Sequence, residues 1–377
     1  MNDFGLYEMG ALLRGQTFDG AKGMFVRFHA DEPTGRGDET VSADSTSQVL
    51  QKFKAFSETK QVYPRRVHAE GIGWYTLGKT YDEAGSSAEL TVSSGDAAET
   101  SRDKVVDGKI AVVTGGAQGF GEGMVRELVA AGAFAYIADL QIEKAQMLSQ
   151  ELNSTAGRTV SYPISVDVTN ESSVETMYQK ISLQTGGFDI LISNAGVLKA
   201  GSVKEMSIKD FEFVTSVDYT GFFLCTKHAA RLLALQNQPT GRYFSDIIVI
   251  SSKSGLEGSN KNGAYAGAKF GTIGLTQSFA LELIEDNIKV NALCPGNFLD
   301  GPLWSDPHRG LFVQYLNAGK VPGAETIADV RRFYEQKVPM KRGCMTEDVM
   351  KALFYVVEQN YETGQAIPVT GGQVMLH

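Results

Sequence analysis

From Lys109 onward, short runs of branched apolar residues alternate with longer stretches whose apolar positions recur every three or four residues. KIAVV precedes EGMVRELVAAG, FAYIAD precedes QIEKAQMLSQEL, and VSYPISVDV, FDILISNAG, SDIIVISS and IKVNALCPG follow. A run that is apolar at nearly every position cannot keep one face in water, so each reads as a strand covered on both sides by the amphipathic stretches between. The predicted fold class is α/β, a doubly wound, mostly parallel sheet. The beginning of the chain has another pattern. MFVRFHA and GWYTLG read as strands and Ser47 to Phe56 as an amphipathic helix, making a small N-terminal α+β extension. Between the two parts, SSAELTVSSGDAAETSRD lacks apolar periodicity and reads as a linker. The division expected is 1–84 for the extension, 85–104 for the linker and 105–377 for the larger domain.

Composition narrows the function classes. Of 377 residues, 42% are hydrophobic and 21% charged, which suits a soluble globular protein. A net charge of -9 provides no basic footprint for nucleic acid or anionic lipid, so an anionic ligand must find a local cluster of Lys or Arg. Met1 to Gly10 lack the basic start and apolar core of a signal peptide, and no stretch approaches roughly 18 apolar residues. The expected location is the cytoplasm. Cys225, Cys294 and Cys344 are odd in number and without CxxC spacing, which fits a reducing compartment and packing roles.

The run Thr114-Gly115-Gly116-Ala117-Gln118-Gly119-Phe120-Gly121 sits between the strand KIAVV and a helix opening near Glu122. That context makes a glycine-rich run a dinucleotide loop of Rossmann type. Backbone without side chains approaches a pyrophosphate, and the free N–H groups and positive end of the helix meet its charge. Asp139 ends the next strand, eighteen residues after Gly121, where a carboxylate accepts both ribose hydroxyls of NAD and repels the extra phosphate of NADP. A strand-end Asp capping the helix from Gln141 is the plainer alternative. Asp167 and Ser193-Asn194-Ala195-Gly196 close two further strands at the edge where ligands bind. Ordinary turn chemistry is their alternative reading.

SDIIVI leads into Ser251-Ser252-Lys253-Ser254-Gly255. Tyr265 lies thirteen residues past Ser252, and Lys269 four further on, so the last two share a helix face. Oxidising an alcohol needs a base for its proton while hydride leaves, and a tyrosine of pKa near 10 needs an ammonium beside it to favour the phenolate.

These motifs, taken in order, make the chain from about Gly108 resemble the short-chain dehydrogenase/reductase family. TGGAQGFG matches its glycine motif, Ser193 to Gly196 its NAG motif, Ser252, Tyr265 and Lys269 its catalytic set, and Pro295-Gly296 its turn. The resemblance implies an NAD-dependent dehydrogenase or reductase of CH–OH groups. It places cofactor contacts at Gly115, Gln118, Gly119, Phe120, Gly121, Asp139, Leu140, Asp167, Val168, Asn194, Ala195, Gly196, Tyr265, Lys269, Pro295 and Gly296. It also implies a homo-oligomer, dimer or tetramer, and a substrate lid between Asn297 and about Arg332, expected here as a mobile loop. Two departures stand out. Phe120 replaces the usual Ile, and Asp218 in VDYTGFF stands where the family's tetrad has Asn, leaving a backbone carbonyl to serve there.

SKSG, YAGAKFGTIGLTQSFALEL, KVPMKRGC and TGGQVML further resemble family members acting on phosphorylated polyols, of the sorbitol 6-phosphate/fructose 6-phosphate type. An anionic substrate on an acidic protein wants local cations, and Lys253, beside Ser252, is the foremost. Asn297 and Arg342 join it as substrate-binding candidates, with Lys261, Arg309 and Lys341 as further cations. An unphosphorylated polyol or sugar acid is the competing substrate class, and a silent NAD-binding scaffold the competing function. Tyr63 to Ala84 resembles the end of a class II aldolase domain. With His29 and His68 as the sole histidines before the linker, no metal site is expected and the segment reads as a remnant used for packing or oligomer contacts.

Overall fold

The computed structural model describes residues 5–33, 40–85, 105–240, 243–308, 310–317 and 319–375. The expected linker lies outside these apart from Gly85, which ends a short helix. Arg309 also lies outside them.

The larger sheet has seven strands: β5 (Ile110–Thr114), β6 (Phe134–Asp139), β7 (Ser161–Ser165), β8 (Ile190–Ser193), β9 (Ser245–Ile250), β10 (Ile288–Pro295) and β11 (Ala366–Val369). Their order is β11-β10-β9-β8-β5-β6-β7 and every pairing is parallel. The chain winds outward from β5 through β6 to β7, then returns to the other side of β5 with β8. Strand order thus reverses between β5 and β8, opening a crevice at their carboxyl ends. Helices α4 (Gly119–Ala130), α5 (Ile142–Ala156), α6 (Glu171–Thr185), α7 (Ile208–Thr215), α8 (Gly221–Asn237), α9 (Gly263–Leu283) and α13 (Thr346–Glu358) lie between and after the strands. Two apolar cores flank the sheet, one holding Val112, Tyr136, Leu191 and Val249, the other Val113, Ile137, Ile192 and Ile250. Alternate residues of one strand thus enter opposite cores, which explains why these strands read as unbroken apolar runs. Among the described residues no helix is long and apolar enough to cross a membrane.

The extension forms its own four-stranded sheet, β1 (Phe25–His29), β2 (Thr40–Ala43), β3 (Arg66–Ala69) and β4 (Gly73–Gly78), in the order β1-β4-β3-β2. Helices α1 (Leu6–Gln16), α2 (Thr46–Lys60) and α3 (Tyr81–Gly85) accompany it. It is fused to the larger sheet: Phe25 and Tyr81 lie 5.5 and 5.0 Å from the Phe134 ring of β6 and share its core. Helix α1 comes so close to α8 that a Cβ on Gly15 would stand 2.1 Å from the Gln236 carbonyl oxygen. His29 bonds Thr76, and His68 bonds Ser42 and stacks on Trp74.

One expectation is corrected. The segment from Asn297 to Arg332 is no loop but carries α10 (Pro302–Ser305), α11 (Leu311–Asn317) and α12 (Ile327–Gln336) around a core of its own. Trp304 is its hub, with the rings of Phe312, Tyr315 and Tyr334 at 5.2, 5.7 and 4.9 Å.

Candidate active site

At the carboxyl end of β5 the glycine run turns through positive φ at Gly115 and Gly119 before α4 begins. A Cβ on Gly121 would lie 2.0 Å from the Gly115 carbonyl oxygen, so the turn tolerates no side chain there. The N-capping residue Gln118 makes no side-chain bond to the helix, so no capping side chain covers the first N–H groups of α4. An uncapped helix start behind a turn stripped of side chains fits the pyrophosphate of a dinucleotide. Gln118 instead accepts from Lys144. Phe120 stacks on Phe298 at 4.3 Å, so the apolar exchange at this position ties the glycine loop to the start of the segment carrying α10 to α12.

Asn194 braces this loop from β8. Its side-chain amide donates to the carbonyls of Thr114 and Gly115, while the Thr114 hydroxyl accepts the N–H groups of Asn194 and Ala195. Thr114 is thus a site residue that sequence reasoning passed over, though it begins the glycine run. Asp139 is buried, and its carboxylate accepts from the Ala117 and Gln141 N–H groups. It therefore performs the plain turn role and also faces the loop, with lone pairs left for a ligand. Leu140 is 69% exposed. β7 ends before Asp167, whose carboxylate caps Thr169, and Val168 packs against Gly221. Gly296 donates its N–H to Val369, fixing Pro295-Gly296 against β11.

The chemistry-bearing residues meet at the ends of β9 and β10. Tyr265 lies in the first turn of α9 and Lys269 in the next, with the ammonium 5.5 Å from the phenol ring centroid. The Ser252 hydroxyl interacts with the phenol and accepts the Ser254 N–H. Ser251, its neighbour, is buried and donates to the Lys269 carbonyl, a structural duty. Lys269 Nζ donates to the Ile250 carbonyl at 3.0 Å and pairs with Asp218 Oδ1 at 3.4 Å. Asp218 sits in a π-helical turn, Ser216–Thr220, between α7 and α8, so the widened turn persists with Asp in place of Asn. Its Oδ1 accepts from Val197 N, and its buried Oδ2 has no hydrogen-bond partner among the described residues.

Electrostatics reverse one expectation. Burial pushes the Tyr265 phenol above its ordinary value; Lys269 and Ser252 pull it down, and Asp218 adds to the rise. Burial also raises Asp218 to about 6 against the pull of Lys269. For Lys269, burial acts to lower the pKa, but Asp218 and Tyr265 outweigh it and hold the ammonium charged. The phenol is thus not depressed by the protein alone.

The cations sort differently from the sequence reading. The Arg342 guanidinium grips Asp348 with bonds of 2.5 and 2.8 Å, and Lys341 caps the Gln336 carbonyl, so both are committed elsewhere. Asn297 accepts Cys344 N–H through its backbone. Lys253 is half-buried beside Ser252. Lys320 and Lys337, absent from the sequence candidates, lie before and after α12 and rest on aromatic rings.

The model of the family described as short chain dehydrogenase matches residues 109–305. The chain belongs to this family. It is therefore a dehydrogenase acting on CH–OH groups with a nicotinamide cofactor, and its substrate is a small molecule. Among its relatives in the family, sorbitol-6-phosphate 2-dehydrogenase of Escherichia coli (strain K12) is 37% identical over 269 residues, covering 71% of this chain and 99% of that protein. Meso-2,3-butanediol dehydrogenase of Serratia marcescens is 31% identical, over 60% of this chain and 87% of its own. The crystal structure of sorbitol-6-phosphate 2-dehydrogenase from Erwinia amylovora superposes with a TM-score of 0.65 at 38% identity, covering 71% of this chain and all (100%) of that one.

Proposed function

We propose that this short-chain dehydrogenase oxidises a secondary hydroxyl of a phosphorylated polyol to a ketone, in the manner of sorbitol 6-phosphate and fructose 6-phosphate, using NAD in the cytoplasm. The observation carrying this reading is the junction of Ser252, Tyr265 and Lys269 beside the glycine loop, together with relatives whose names specify a polyol phosphate. In this reading Tyr265 takes the hydroxyl proton, the Ser252 hydroxyl donates to the substrate oxygen, and Lys269 stabilises the phenolate. When bound, a nicotinamide cofactor would serve as the hydride acceptor, and its positive charge would add to the pull of Lys269 and Ser252 on the phenol.

The Asp139 carboxylate supports NAD over NADP by repelling a 2′-phosphate. Cys225, Cys294 and Cys344 are free thiols, in keeping with a reducing compartment. Phe223, Phe270 and Leu281, exposed on α8 and α9, support a homo-oligomer that covers them. Residues 1–84 read as a packing extension, 85–104 as its linker and 105–377 as the catalytic domain.

A spectrophotometric screen of NAD and NADP reduction across phosphorylated and free polyols tests the reading. Turnover with sorbitol 6-phosphate and NAD, lowered about 1000-fold in Tyr265→Phe with NAD binding intact, is the expected result. Wild-type turnover by that variant would sink it.

A further inference from the structure

The lid carries two kinds of cation. Its described arginines are spent, Arg331 on Asp300 and Glu335 and Arg332 on Asp329. Its lysines are not: among the described residues, neither Lys320 nor Lys337 forms an ion pair with a carboxylate. Lys320 Nζ stands 3.7 Å above the Tyr315 ring, and Lys337 Nζ stands 4.3 Å from Phe333 and 5.5 Å from Tyr334. Tyr315 and Tyr334 are themselves 5.4 Å apart, so both ammoniums rest on one aromatic wall. The buried Tyr315 phenol faces Asn262, the residue that precedes α9 and its Tyr265. Lys261, next to Asn262, accepts the Gly201 N–H at its backbone carbonyl and is held in the left-handed region. Lys253 follows Ser252 directly, half-buried in the turn Lys253–Gly255.

We propose that Lys253 and Lys261, on the catalytic turn, and Lys320 and Lys337, on the lid, form a cradle for the substrate's phosphate, which thereby draws the lid onto the reacting carbon. This rests on the reading of the substrate as a polyol phosphate. Like charges gathered with few carboxylates to balance them are costly until an anion arrives. Burial lowers the Lys253 pKa, Glu257 opposes this and Lys337 adds to it; burial lowers Lys320, with Lys337 and Lys261 adding. A phosphate dianion offers three acceptor oxygens and reverses that repulsion, and lysine is suited to it as a point charge on a flexible stem. Because two ammoniums come from beside the catalytic turn and two from the lid, the anion bridges them and its binding energy goes to closing the lid.

The double variant Lys320→Gln and Lys337→Gln, made in the full chain, tests the cradle. Each charged contact contributes about tenfold, so the ratio of kcat/KM for sorbitol 6-phosphate over sorbitol should fall about 100-fold. Calorimetric affinity for inorganic phosphate should weaken in parallel, while NAD binding and the circular dichroism spectrum stay as in the wild type. If the double variant does not fold, each single substitution should lower the ratio about tenfold. A ratio and phosphate affinity within twofold of wild type overturn the cradle. If the wild type itself shows no preference for the phosphorylated polyol, the substrate reading falls, and the phosphate titration decides the cradle alone. Affinity lost in the variant keeps the cradle as an anion site, and equal affinity removes it.

Discussion

Arg14 of the first helix and Asp189 at the entry to β8 form an ion pair at 2.8 Å in which neither side chain has any exposure. The same carboxylate accepts from Ile110 N–H and the Tyr243 hydroxyl, so the extension is pinned to the start of two central strands. Taking one partner from a buried pair strands the other without water, at a cost of about 3 kcal/mol. Arg14→Ala should lower the unfolding free energy of the whole chain in urea titration by that amount, with one transition. A second transition, with the larger sheet unaffected, would show that the extension melts by itself.

Asp218 should leave a mark on stability against pH. Burial raises its folded pKa to about 6, above the unfolded value of 3.8. The folded state then holds the proton more tightly, so this contribution is fully present below about pH 4 and is lost as pH rises through about 6. Two units at about 1.4 kcal/mol each set the span at about 3 kcal/mol. The groups facing it are Lys269 and Tyr265 on α9 and the Val197 N–H; Lys269 and Tyr265 are both raised, so neither titrates in this window. Asp218→Asn does not titrate, and it should gain on the wild type by about that span between pH 4 and pH 8 in urea unfolding. Losing the carboxylate also removes one of the pushes on Tyr265, so the rising limb of the kcat/KM profile for oxidation should move to lower pH. A stability gap independent of pH would remove the assignment.

The pattern of the larger sheet was open to reading because each strand fills both cores. β11 escaped notice: AIPV is short, and Pro368 is tolerated because the strand lies at an edge. Helix α1 was hidden for a related reason. Gly10 and Gly15 weaken a helix by propensity, yet they are what lets it lie against α6 and α8. The lid reads as loop because glycine and proline punctuate it, and its helices are held by rings meeting around Trp304 rather than by length. At the site, Ser252, Tyr265 and Lys269 are close in sequence and were found together. Lys320 and Lys337 join Lys253 only through folding of the lid, and Arg342 looks free until Asp348, one turn into α13, is seen to hold it.

Asp139 makes a prediction about cofactor choice. Its charge stands at the end of β6 with both oxygens already turned toward backbone N–H groups of the glycine loop and the α5 start. Asp139→Asn keeps an acceptor for Ala117 while removing the charge that opposes a 2′-phosphate. The ratio of kcat/KM with NAD to that with NADP should fall about fivefold or more, from a charge–charge contribution of about 1 to 4 kcal/mol. An unchanged ratio would place that carboxylate away from the ribose.

Trp304 tests whether the lid folds as its own unit. Its ring contacts lie within the cluster formed by Leu299, Phe312, Tyr315, Val330 and their neighbours, separate from the two cores of the sheet. Truncating a buried Trp costs about 3 to 5 kcal/mol. Because the loss is confined to this cluster, Trp304→Ala should speed amide exchange in α11 and α12 while strands β5, β8 and β9 keep their protection. Substrate KM should rise far more than kcat falls, since Tyr265 and Lys269 stand on α9 outside the cluster. Equal loss of protection across the strands would mean that lid and sheet unfold together, and that closure cannot be a separate step.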